Sequence, residues 1–134
     1  MIIKILSGFI FFLVAFLGLS LDRAYAEDGI VDQSHPRARL VLGNSDLVGK
    51  IKIIKPRVAP LGNFMRGQVI VQNLTDAKFL LDYKFDWLDD EGFLIGDGGV
   101  WFPFVLGPRE MKPFKSLGKD EYAARMQVTV RLTR

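Results

Sequence analysis

Cysteine is absent from the 134 residues. Disulfide stapling, thiol nucleophiles, thiolate metal sites and the thiol acylation of a lipoprotein anchor are therefore all excluded. Histidine occurs once, as His35 in the polar run before Pro36. A general base needs a positioned partner, and a lone histidine in such a run offers none, so Ser/His/Asp catalysis is not expected. An excess of one charge is also missing: 18 Lys and Arg stand against 15 Asp and Glu, a net +3. Without residues 1–26, which carry Lys4, Asp22 and Arg23, the balance is +2. That is too little for the concentrated basic stripe of a nucleic-acid binder. A full set of calcium-loop ligands is lacking too, since Asp89-Asp90-Glu91-Gly92 supplies only a fragment of the alternating acidic pattern. That segment reads instead as a turn, with Asp capping backbone amides. No metal or cofactor is expected.

One long apolar run is present, and it sits at the start. After Met1–Lys4 the chain is apolar from Ile5 to Leu21, Asp22-Arg23 ends the run, and Ala24-Tyr25-Ala26 places small residues where a signal peptidase needs them. This layout predicts a signal peptide over 1–26, cleaved after Ala26, and export to the periplasm without a lasting membrane anchor. The competing reading is an uncleaved anchor, but about 17 apolar residues is the lower limit for a span. Residues 27–37 are polar, show no apolar period and are read as a flexible leader. Residues 38–134 form one domain, long enough to hold a core without staples.

Within that domain the hydrophobic period is two rather than 3.6. Leu81, Tyr83, Phe85 and Trp87 share one face of Phe79–Leu88, opposite Asp82, Lys84 and Asp86. The alternation returns through Ala124, Met126, Val128, Val130 and Leu132. Each pattern describes a strand with one buried and one wet face. Weaker strands are expected at Arg39–Leu42, Lys50–Ile54, Met65–Gln72, Phe93–Ile95, Val100–Val105 and Glu110–Phe114, with at most a turn of helix in Lys119–Arg125. Breaks fall at Asn73–Asp76, Asp89–Gly92, Gly96–Gly99 and Gly107-Pro108. Seven or eight short strands at this spacing predict an all-β sandwich.

The signature Tyr83-x-Phe85-x-Trp87-x-Asp89-x-x-Gly92-Phe93, preceded by Val71-Gln72-Asn73, resembles that of the YcfL family of periplasmic proteins and lipoproteins. The likeness continues through Trp101, Leu106-Gly107-Pro108-Arg109-Glu110 and the last strand, covering about residues 43–132. It implies a small immunoglobulin-like antiparallel β-sandwich in the Gram-negative envelope with no established enzymatic activity. Asn73, Tyr83, Phe85, Trp87, Asp89 and Gly92 are its structural signature here. The sequence departs from the family in having no lipobox cysteine, and in reading Ser116-Leu117-Gly118-Lys119 where relatives often carry Ala-Pro.

Val100–Val105 is apolar at every position, which a half-wet strand should not be. Either both faces are covered or one is an exposed patch for a partner. Pro103 marks an edge strand or bulge, open to strand addition. Trp101, Phe102 and Phe104 are therefore the candidate partner-binding residues, with Trp101 as the principal anchor, whereas Trp87 is expected in the core. Two function classes follow. The first is a non-enzymatic envelope module that binds or assembles with another envelope protein. The second, weaker, is a hydrolase using carboxylates alone, for which no paired acids in an apolar setting are apparent. Lys50, Lys52, Lys55 and Arg57, with the basic residues of Arg109–Lys119, leave a third option of direct cell-wall or anionic-lipid binding.

Overall fold

The computed structural model describes residues 23–26 and 29–134. The apolar run of the expected signal peptide lies outside the described residues. Nine strands follow one another: β1 (Arg23–Ala26), β2 (Gly29–His35), β3 (Ala38–Leu42), β4 (Ile51–Leu61), β5 (Phe64–Asn73), β6 (Phe79–Leu88), β7 (Phe102–Leu106), β8 (Met111–Gly118) and β9 (Arg125–Leu132). The only helical element among the described residues is the 3-10 turn Ser45–Leu47, which buries Leu47. The strands form two sheets, ordered β1-β2-β3-β9-β6-β7 and β4-β5-β8, packed as an all-β sandwich.

The two strongly alternating segments are the middle of the larger sheet. In the β6–β9 ladder Leu81, Tyr83, Phe85 and Trp87 lie opposite Leu132, Val130, Val128 and Met126, so both apolar faces point the same way. Facing them, the smaller sheet contributes Ile51, Ile53, Val69 and Val71 to one continuous core. Burying each large aliphatic side chain stabilises the fold by about 1.5–3 kcal/mol. Trp87 is only 8 % exposed, and its Nε1 donates to Ser116 Oγ on β8 at 3.0 Å. Room for the indole comes from two strand glycines. A Cβ on Gly118 would stand 2.8 Å from Trp87 Cδ2, and one on Gly67 would meet Met126 Sδ. A glycine inside a strand marks such a close approach.

The turn residues act as expected of them. Asn73, 1 % exposed, uses its whole amide. Nδ2 donates to Ala77 O (2.6 Å) and Gly107 O (2.8 Å), and Oδ1 accepts from Thr75 N and Thr75 Oγ1. It thereby ties the β5–β6 turn to the β7–β8 turn. Asp89 Oδ1 accepts from the amides of Glu91 and Phe93, and Gly92 takes φ +89°, so Asp89–Gly92 is a tight reversal.

Several expectations are corrected. The flexible leader contains β2, paired with β3 through Ile30↔Leu42, Val31↔Val41 and Asp32↔Leu40. Its own apolar content is the adjacent pair Ile30-Val31, so partner pairing rather than alternation makes it a strand. Phe93–Ile95 gives a single bridge, Leu88↔Leu94, instead of a strand. Residues 119–124 turn without helix, within the expected limit, and Arg125 already opens β9. β4 runs on to Leu61 past a bulge at Lys55 (φ +50°) and Pro56, which carries the strand beyond its apolar start. One pair, β3–β9, is parallel, so the sandwich is not wholly antiparallel. Finally, the outer face of β6 is not wet: Asp82 is 7 % and Asp86 6 % exposed.

Candidate functional site

The cover over that outer face is Trp101. Its ring lies 3.5 Å from the Arg131 guanidinium carbon and 4.7 Å from Lys84 Nζ, a cation–π stack on the sheet surface. Beneath it Arg131 Nε meets Asp82 Oδ2 at 3.3 Å, and Lys84 Nζ lies 3.5 Å from Asp86 Oδ2. Asp86 Oδ1 also accepts from Gly99 N at 2.7 Å, which fastens the segment leading into Trp101. Trp101 is thus neither a core residue nor a free anchor. It is half-buried on the side of the larger sheet that faces away from the smaller one.

β7 begins at Phe102, after Trp101 rather than at the expected Val100, and its Phe102 and Phe104 share the face turned toward the smaller sheet. Phe102 stacks on Tyr83 with centroids 5.5 Å apart, and Phe104 packs against Tyr83 and Phe114 at 5.7 and 4.8 Å. Tyr83 lies 4.2 Å from Phe114, so it joins both sheets. Phe104 is half-buried in this cluster, whereas Phe102 remains 52 % exposed. The difference follows from strand length. β7 pairs with β6 only from Phe79 to Tyr83, and the sandwich flank beyond Tyr83 is left open.

The opening is a cleft of about 620 Å³ between β6 and β8. Tyr83, Phe85, Trp87, Ile95 and Phe102 make its apolar lining, and Ser116 lies on the β8 side. Lys115, Lys119 and Asp120 are its charged residues. Asp120 Oδ1 accepts from Tyr122 N at 2.8 Å, which holds it as a turn cap. The buried carboxylates Asp82 and Asp86 belong to the outer face and take no part in this lining. A second concavity, about 270 Å³, opens on the far flank between β2–β3 and β4, lined by Ile30, Leu40, Leu42, Val48 and Lys52 among others.

Of the three candidate binding residues, the structure therefore brings Phe102 and Phe104 together with the signature Tyr83 and sends Trp101 elsewhere. Sequence reasoning placed Tyr83 and Phe85 in the core and did not expect them to line an open flank. It also missed Ile95 and the β8 segment Ser116–Gly118. One available signal was the pair of strand glycines, Gly67 and Gly118, whose missing side chains admit Trp87 beside the cleft. The basic residues Lys50, Lys52, Lys55 and Arg57 belong to the β4 region, away from the cleft lining.

Among solved structures the chain is similar to a DUF1425 family member from Shewanella sp. pv-4, with 16 % identity and a TM-score of 0.58 over 84 % of this chain and 96 % of that one. It is also similar to cj0090 of Campylobacter jejuni, with 18 % identity and a TM-score of 0.57 over 70 % of this chain and 97 % of that one. At such identities the likeness is one of fold. No curated protein matches the chain. The model of the DUF1425 family, described as a protein of unknown function, matches residues 38–132. That stretch runs from the first residue of β3 to the last of β9, and the chain belongs to the DUF1425 family.

Proposed function

We propose that the protein is a non-enzymatic binding or assembly module of the bacterial envelope, working in the periplasm after cleavage behind Ala26. Its partner is another envelope protein that presents apolar side chains to the open flank of the sandwich. The observation that carries this reading is Phe102, half-exposed and stacked on Tyr83 at the mouth of an apolar cleft. Interfaces draw most of their free energy from a few aromatic anchors seated over apolar ground. The export step rests on Ala24-Tyr25-Ala26, and the envelope setting on the YcfL-like signature.

Side chains rather than backbone make the contact in this reading. β7 is five residues long and includes Pro103, so its edge is a poor template for strand addition. Phe102 accordingly replaces Trp101 as the principal anchor. The two adjacent residues lie on opposite sides of the larger sheet, which gives a clean test. Phe102→Ser is expected to weaken partner capture by at least tenfold while leaving the far-UV spectrum unchanged. Trp101→Ser is expected to leave capture intact. The reverse ranking refutes the cleft. Loss of capture from Lys50→Gln with Lys52→Gln, and not from Phe102→Ser, would move the function to an anionic wall or lipid ligand.

A further inference from the structure

Proline is distributed unevenly over the two sheets. Four prolines fall inside strands: Pro56 and Pro60 in β4, Pro103 in β7 and Pro113 in β8. β4, β7 and β8 are all edge strands, whereas the interior strands β3, β5, β6 and β9 contain none. Two of these edges carry lysines as well, Lys52 and Lys55 in β4 and Lys112 and Lys115 in β8, and β4 is bulged at Lys55. Proline, lysine and bulges are the devices that stop an edge from pairing with another chain. β2, Gly-Ile-Val-Asp-Gln-Ser-His, has no proline, lysine or arginine. Its edge is closed differently, by β1, in the antiparallel register Arg23↔Asp32, Ala24↔Val31, Tyr25↔Ile30 and Ala26↔Gly29.

β1 is also the segment with the Ala24-Tyr25-Ala26 processing pattern. Cleavage after Ala26 removes the whole strand and bares one edge of β2, whose remaining guards are Asp32 and the shift of register between Asp32 and His35. We infer that processing converts β2 into a dimerisation edge, on which the β2 strand of a second copy of this chain pairs antiparallel. This rests on the cleavage step of the proposed function and is independent of the cleft. Two observations favour a second copy. The edge already accepts an antiparallel strand from this chain, and antiparallel pairing is what a two-fold axis between identical strands produces. A donor strand must itself be free of proline and lysine, and among the described edge strands of the processed sandwich β2 alone qualifies. The product is a continuous sheet across both copies, with the Phe102 clefts at its two far ends, since β2 and β7 lie at opposite edges of the larger sheet.

The test compares two chains, one beginning at Glu27 and one at Asp22, the second retaining β1. Both contain the entire core cluster, which starts at Ala38. Sedimentation equilibrium is expected to give twice the monomer mass for the chain from Glu27 and the monomer mass for the chain from Asp22. Gln33→Lys, at an exposed β2 position, is expected to return the shorter chain to monomer with an unchanged far-UV spectrum. Gln33→Ser, its uncharged control, is expected to remain dimeric. A monomeric Glu27 chain at every concentration overturns the inference. So does a dimer indifferent to β1 and to Gln33→Lys, which would place the contact elsewhere. N-terminal sequencing of the exported protein separates these results from failure of the cleavage step: an intact Met1 end would overturn both readings, whereas a Glu27 end with a monomer overturns only this one.

Discussion

Gly118→Ala probes the fit between Trp87 and the smaller sheet. The added Cβ would stand 2.8 Å from Trp87 Cδ2, 3.0 Å from Trp87 Cε3 and 2.9 Å from Ala123 Cβ. All three belong to groups fixed by packing, so neither ring nor methyl can turn aside. Overpacking of this kind destabilises by about 1–3 kcal/mol, and in a domain of this size each ~1 kcal/mol lowers Tm by about 4–8 °C. A fall of roughly 5–20 °C is therefore expected from those two values. Trp87→Leu removes the ring and its bond to Ser116, and leaves a side chain free to rotate away from position 118. It destabilises strongly by itself, within the range below the about 3–5 kcal/mol of a Trp→Ala truncation. In that background Gly118→Ala should cost less, with only the contact to Ala123 Cβ at 2.9 Å remaining, giving a coupling of about 1–2 kcal/mol in a urea-denaturation double-mutant cycle. Additive effects would refute the reasoning, because they would mean that the glycine is required for something other than the indole.

Gly67→Ala should cost less than Gly118→Ala in the same urea assay, since its added Cβ meets mainly the flexible end of Met126. Asn73→Ala takes the side-chain acceptor from Thr75 N and one of two donors from each of Ala77 O and Gly107 O; at about 0.5–1.5 kcal/mol for a hydrogen bond lost, a fall in Tm is expected by calorimetry. Trp101→Ala should lower Tm by only a few degrees, as a partly exposed cation–π stack contributes about 0.5–2 kcal/mol. The Arg109 guanidinium, hydrogen-bonded to Asp76 at 3.0 Å, holds the Asp76 carboxyl below its ordinary 3.8. Its small stabilisation is therefore present above that ordinary value and lost as pH falls through the depressed one; carboxyl NMR should show the low midpoint rising in Arg109→Gln and at high salt.

What the sequence made legible was the part written in alternation. β6 and β9 stood out because their inward residues recur every second position and pair with one another. β5 and β8 followed from apolar content and flanking turns. β2 was hidden because a strand with Ile30 and Val31 as its only large apolar residues is made by its neighbours, and sequence shows no neighbours. The outer face of β6 misled for a related reason. Asp82, Lys84 and Asp86 look solvated in isolation, yet a loop from residues 89–101 returns to lay Trp101 across them. In the candidate site, the apolar run Val100–Val105 overlaps β7, which begins only at Phe102 and leaves Val100 and Trp101 in the preceding loop. Which face opens on the cleft depends on β7 stopping opposite Tyr83, a tertiary fact.

The most direct measurement replaces Phe102 with a photo-crosslinking phenylalanine analogue in intact cells, with the same analogue at Val48 on the far flank as the control. A binding module that uses the cleft predicts a discrete adduct from position 102 and none from position 48. Adducts from position 48 alone, or from neither position, would contradict the cleft as the seat of function.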